Sequence, residues 1–122
     1  MASVNNVNFS TTKQTGSSLW KVTVKYNAKF TDFEKNSGMT FKERVRLWED
    51  DPFDNDLLKT VWGGVFDPAA NTVARTITFN IGEGKLDTEW GEEELFVKVN
   101  IFNVSLGIWA GSGQSGTLHL DI

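Results

Sequence analysis

With 122 residues, the chain has room for one hydrophobic core and not for two. Apolar residues make up 39% and charged residues 23%, an ordinary globular profile. The absence of cysteine excludes a disulfide scaffold, thiolate metal sites and cysteine nucleophiles, and a single histidine excludes a multi-histidine metal centre. The N-terminal segment holds no apolar stretch of the kind a secretory signal needs, and no run approaches the roughly eighteen apolar residues that cross a bilayer. A soluble protein is expected, with residues 1–18, rich in Ser, Thr and Asn, partly disordered.

Taken in chain order, the dominant period is two. Val4–Phe9 is a short strand candidate. From Trp20 to Phe30 the even positions are Trp20, Val22, Val24, Tyr26, Ala28 and Phe30, and the odd ones are Lys21, Thr23, Lys25, Asn27 and Lys29. That alternation predicts a long strand, apolar on one face and polar on the other. Asn36-Ser37-Gly38 supplies a turn. Phe41, Val45 and Leu47 then alternate with Lys42, Arg44 and Arg46, with Glu43 the one misfit on the apolar side. Lys59–Phe66 reads as a single strand, its Gly63-Gly64 pair marking a bulge or kink, because splitting the run would leave two stubs. Asp67 to Asn71 suits a type I turn. Val73, Ile77, Phe79 and Ile81 form the next stripe, which Gly82-Glu83-Gly84 ends, and Leu86–Trp90 has the length of one helical turn. Leu95, Val97, Val99 and Ile101 alternate with Phe96, Lys98, Asn100 and Phe102, a second face that is only partly polar. Leu118, Leu120 and Ile122 close the chain.

These stripes predict an all-β fold: a single-domain antiparallel β-sandwich over residues 1–122, with seven to eight strands, an immunoglobulin-like layout and Greek-key connections. The layout implies no family, since no cysteine pair brackets a core tryptophan. Gly111 to Gly116 (GSGQSG) fits the dinucleotide pattern, but a strand follows it where the phosphate-binding helix would have to open, so it reads as a turn.

The residues with chemistry fall into three groups. Glu49 to Asp56 (EDDPFDND) crowds hard oxygen donors into eight positions, which is the ligand type that calcium takes. Asp50, Asp51, Asp54 and Asp56 are the candidate metal ligands, with Asn55 or a backbone carbonyl completing the set. Zinc is excluded by the lack of nitrogen or sulfur donors in the segment. Glu89 and Glu92-Glu93-Glu94 make a second acidic cluster.

Charge is split along the chain, with a balance of +5 over residues 1–48 and −9 over residues 49–122. If the strands carrying Lys21, Lys25 and Lys29 and Lys42, Arg44 and Arg46 pair as a hairpin, six basic groups share one face. Such a face calls for an anionic cover, and the protein's own acidic half is the nearest source. The net charge of −4 argues against nucleic acid as that cover.

The third group is aromatic. Trp20 continues an apolar stripe and belongs to the core. Trp48 falls on the polar side of its strand, and Trp62, Trp90 and Trp109 lie beside glycines or in loops, where planar rings can hold a sugar or anchor a protein contact. Trp48, Trp62, Trp90, Trp109, Arg44 and Arg46 are therefore the candidate binding residues. No nucleophile elbow accompanies His119 and Asp121, so no catalytic residues are expected. The reading is a non-catalytic binding or assembly module working through protein contact or self-association. The alternative is a carbohydrate-binding, lectin-like module assisted by calcium.

Overall fold

A computed structural model describes residues 1–51, 55–86 and 92–121. Among these residues eight strands lie in two antiparallel sheets, packed face to face as a β-sandwich. The three-stranded sheet has the order β1 (Ser3–Lys13), β2 (Leu19–Lys29), β5 (Thr72–Gly82). The larger sheet has the order β4 (Asn55–Phe66), β3 (Phe41–Asp50), β6 (Glu92–Asn103), β7 (Ile108–Gln114), with β8 (Leu118–Asp121) also on β6. The pairs β2/β5 and β3/β6 are each neighbours in space with two strands between them in sequence, the interlocked connection expected of a Greek key.

The period-two stripes become the core. Val22, Val24, Tyr26 and Ala28 from β2 face Phe41, Val45 and Leu47 from β3 and Leu95, Val97, Val99 and Ile101 from β6, all of them buried. β7 and β8 follow one another along the same side of β6, separated at Ser115. The Ser115 Oγ accepts from the Val97 N–H at 3.0 Å while its own N–H donates to the Val97 carbonyl at 2.9 Å, so a side chain carries the ladder across the break.

Sequence and fold differ at several points. The two basic strands do not form a hairpin: β2 and β3 lie in different sheets, so Lys21, Lys25 and Lys29 face out on one side of the sandwich and Lys42, Arg44 and Arg46 on the other. The connection between them is a short helix, α1 (Asp32–Asn36), which the weak helical periodicity concealed. It is held by a capping box, Thr31 Oγ1 accepting from the Glu34 N–H at 3.1 Å and Glu34 Oε1 accepting from the Thr31 N–H at 2.9 Å. The second oxygen of Glu34 accepts from the Ala2 N–H, tying the chain's start to this crossing. A helical turn, α2, occupies Glu83–Leu86; of the turn expected over Leu86–Trp90, all but Leu86 lies outside the described residues.

The Gly63-Gly64 bulge is present. Lys42 pairs with Val65 and Arg44 with Trp62, so both glycines oppose Glu43 alone. The misfit Glu43 is the reason. It is completely buried on the inner face of β3, and a Cβ on Gly63 would lie 2.7 Å from its Cγ and Cδ. Its carboxylate takes two hydrogen bonds from Arg75 of β5, at 3.1 Å from Nε and 2.9 Å from Nη2. This bidentate pair crosses between the sheets, with the Phe66 ring 4.1 Å from the guanidinium. Burial opposes the Arg75 charge, but the bonds and charge of Glu43 outweigh it and hold its pKa above the ordinary value. Beside them, burial, reinforced by the Glu43 charge, pushes the Tyr26 phenol well above its ordinary 10.0.

Candidate binding face and acidic hairpin end

The outer face of the larger sheet is built by alternation. Because Val45 and Leu47 point inward, Lys42, Arg44, Arg46 and Trp48 point outward from β3. Register then sets their neighbours. On β4, Val65 stands opposite Lys42, Trp62 opposite Arg44 and Leu57 opposite Trp48. On β6, Phe102, Asn100, Lys98 and Phe96 stand opposite Lys42, Arg44, Arg46 and Trp48. β7 adds Trp109 beside Phe102 and Ser112 beside Asn100.

Cations and rings interleave across this face. The Lys42 Nζ lies 4.7 Å from the Trp62 ring centre and 5.4 Å from that of Phe102. The Arg44 guanidinium is 4.3 Å from Trp109 and 5.8 Å from Trp62. Arg46 and Lys98 approach the Trp48 ring at 5.6 and 5.9 Å, and Trp48 lies almost parallel to Phe96. Each such contact contributes about 0.5–1 kcal/mol at an exposed site. Among the described residues the cover on these cations is therefore aromatic rather than acidic. Among the described residues, the ion pairs of Glu43, Glu83, Glu92 and Glu94 go to Arg75, Lys13 and His119, not to this face. Burial, and then the charge of Arg46, pulls the Arg44 pKa down.

Trp62 lies in β4, within the strand read over Lys59–Phe66, while Trp109 belongs to strand β7, which the sequence reading did not include. Both are about half exposed, at 48% and 45%, and their rings stand 5.9 Å apart with 31° between planes. Phe102, its register partner on β6, meets Trp109 edge-on at 5.1 Å. Beside Trp109 a shallow depression of about 200 Å³ runs over Asn100 and Ser112. It shares those two residues with a second depression of about 260 Å³ bordered by Arg46, Lys98 and Gln114. Arg46 donates from Nη2 to Asn100 Oδ1 at 3.2 Å, which fixes both side chains at the floor. Trp48 is half-buried under its neighbours. Trp90 lies outside the described residues.

The acidic segment is the end of the β3–β4 hairpin, since Asp50 pairs with Asn55 and Glu49 with Asp56. Carboxylate oxygens of Glu49, Asp51 and Asp56 lie within 4.8 Å of one another, a group able to hold a metal ion. Glu49 replaces Asp50 in the expected set because positions alternate: Glu49 turns inward, 1% exposed, while Asp50 shares the outward parity of Arg46 and Trp48. The fully buried Glu93 stands on the inner face of β6, one inward position beyond Leu95, which pairs with Glu49. Asp54 lies outside the described residues.

No helix among the described residues is long and apolar enough to cross a membrane. No protein-family model matches the sequence, and no curated protein does. Solved structures of a Bacteroides uniformis β-glucuronidase do resemble the fold. The enzyme covalently bound to cyclophellitol-6-carboxylate aziridine aligns with a TM-score of 0.65 and 15% identity, over 93% of this chain and 14% of the enzyme. A calcium-binding mutant of the enzyme aligns with a TM-score of 0.62 and 15% identity, over 88% of this chain and 12% of the enzyme. The chain thus spans about one-seventh of the length of these structures, and at that identity the likeness is one of fold: a β-sandwich of the kind found within a glycosidase.

Proposed function

We propose that this domain is a non-catalytic module that binds a glycan on the outer face of its larger sheet. The observation that carries this is the exposed Trp62–Trp109 pair beside the Asn100 and Ser112 depression. A pyranose ring presents an apolar C–H face that suits an indole plane, while its hydroxyls need nearby donors and acceptors. Both are in place here: two half-exposed rings, and Asn100, Ser112 and Gln114 next to them. Rings and cations, rather than two carboxylates facing each other across a cleft, occupy the face, which favours binding over hydrolysis. The fold shared with part of a β-glucuronidase agrees with a carbohydrate-related role. Tryptophan emission and calorimetry across a glycan panel test it. Trp62→Ala with Trp109→Ala is expected to weaken binding by about thirtyfold or more, since a central tryptophan anchor contributes about 2 kcal/mol. Emission unmoved by every glycan refutes the reading.

A second reading, protein contact or self-association through the same face, is favoured by exposed Leu57 and Val65, which extend the apolar area onto the edge strand β4. Light scattering across concentration and salt separates the two: a monomer throughout leaves the glycan reading alone. At the hairpin end the proposed cation is calcium, held by Glu49, Asp51 and Asp56. Saturating calcium then stabilises the fold by about 2.7 kcal/mol at a hundredfold excess over Kd, which raises the melting point by several degrees. Asp51→Asn with Asp56→Asn is expected to remove that rise, and equal melting in calcium and in chelator refutes the site.

A further inference from the structure

The positive charge of the binding face is larger than a neutral sugar needs. Lys42, Arg44, Arg46 and Lys98 all point outward from adjacent strands, and among the described residues each is packed against an aromatic ring rather than paired with an acid. Arg46 donates to the neutral Asn100, and the Nε groups of Arg44 and Arg46 find no acceptor among the described residues. Keeping like charges on neighbouring positions of one face is unfavourable unless something anionic offsets them. The lowered Arg44 pKa, set by burial and then by Arg46, agrees with a field that the described residues leave uncompensated.

Resting on the glycan reading above, we infer that the ligand is an acidic glycan, its carboxylate or sulfate groups met by Arg46 and Lys98 while a sugar ring lies on the adjoining tryptophan surface. The depression bordered by Arg46 and Lys98 supplies the geometry. Arg46 and Lys98 border it with Asn100, Ser112 and Gln114, so a cationic rim stands beside neutral hydrogen-bonding groups, next to the Trp109 ring. An anionic group on a sugar held there gains charge-assisted hydrogen bonds, stronger than those any hydroxyl makes. The face also limits the length of the polyanion. Toward the other end of the same strands its outward positions become Asp50 on β3 and Glu94 on β6, so a long uniform polyanion such as nucleic acid runs from attraction into repulsion. The basic stretch matches a short acidic segment.

The test is calorimetry with the intact chain on paired probes sharing one backbone: oligogalacturonate against its methyl ester, and dextran sulfate oligomers against dextran. A thymidine oligonucleotide is run alongside. The acidic member of at least one pair is expected to bind roughly tenfold or more tighter; the pair that shows it identifies carboxylate or sulfate. The advantage shrinks as salt is raised, and Lys98→Gln alone, with its melting point checked against the parent, removes much of it. Arg46→Gln is the companion variant; the salt series needs no variant at all. Equal affinity for acidic and neutral members overturns the inference and leaves the glycan reading standing. No glycan bound, with tryptophan emission unmoved, overturns both. Tighter binding of the oligonucleotide than of any glycan overturns the inference in favour of nucleic acid.

Discussion

The outer faces of the two sheets start from the same sequence pattern and end as different surfaces. β2 carries Lys21, Lys25 and Lys29 outward, and β3 carries Lys42, Arg44 and Arg46 outward, each set spaced by alternation. On the smaller sheet the neighbours are short and polar: Lys21 lies between Thr12 and Asn80, Lys25 between Asn8 and Thr76, Lys29 between Ser3 and Thr72. Those cations are exposed and solvated. On the larger sheet the neighbours are Trp62, Trp109, Phe102 and Trp48, and the cations are partly buried against rings. A basic stripe is thus a solvated face or a binding face according to what stands on the strands beside it. Arg75 is a third case, turned inward and neutralised by Glu43.

The largest effect is expected where the inward cation loses its anion. Glu43→Ala leaves the part-buried Arg75 guanidinium without its carboxylate, between the Phe66 ring and the Tyr26 phenol, and should cost about 3 kcal/mol in denaturant melts. Replacing both, as Glu43→Leu with Arg75→Met, should restore much of that. If the double variant is as unstable as the single, the unpaired charge is not the cause.

Next comes the ring-packed face. Lys42, Arg44 and Arg46 changed together to Gln should lose about 0.5–1 kcal/mol per cation–ring contact removed, and glycan binding with it. Gly63→Ala acts on the same face from behind. Its Cβ would press on the Glu43 side chain at 2.7 Å, and the bulge carrying Trp62 must shift. The expected cost is about 1–3 kcal/mol, read by thermal melting.

A pH titration probes the Tyr26 end of the inner pair. The buried phenol has a raised folded-state pKa, so its contribution is complete below the ordinary value of 10.0 and declines as pH climbs above it, because the unfolded chain ionises first. Tyr26→Phe should flatten that alkaline decline, and an unchanged slope would locate it elsewhere. The smallest effect closes the comparison. Lys21, Lys25 and Lys29 changed together to Gln should leave stability within about 0.5 kcal/mol at each site and glycan affinity unaltered. A loss of binding as large as that from the other face would erase the distinction between them.

Much of this architecture was legible from local spacing. The alternation at Trp20–Phe30 fixed which side chains of β2 face the core, and the reluctance of Lys59–Phe66 to split placed a bulge at Gly63-Gly64. Glu43 is a misfit in the apolar stripe of β3 on spacing alone, and Arg75 is its reason. The Thr31 to Glu34 spacing carried a capping-box signature that periodicity alone overlooked, because a helix as short as α1 has no stripe to show. The acidic segment was visible as a cluster of oxygen donors, yet its membership was not. Which of Glu49 and Asp50 joins Asp51 and Asp56 depends on the hairpin continuing the strand's alternation to its last residue.

By itself the sequence determined the strands and their two faces, because side-chain direction in a strand follows from the chirality and pleat of a few consecutive residues. Only the tertiary structure decided which strands are neighbours. It separated β2 from β3, set Arg44 of β3 against Trp109 of β7, and brought Arg75 of β5 to Glu43 across the core. Those contacts join residues far apart in the chain, and register is chosen by the summed packing of whole faces, which no local spacing contains.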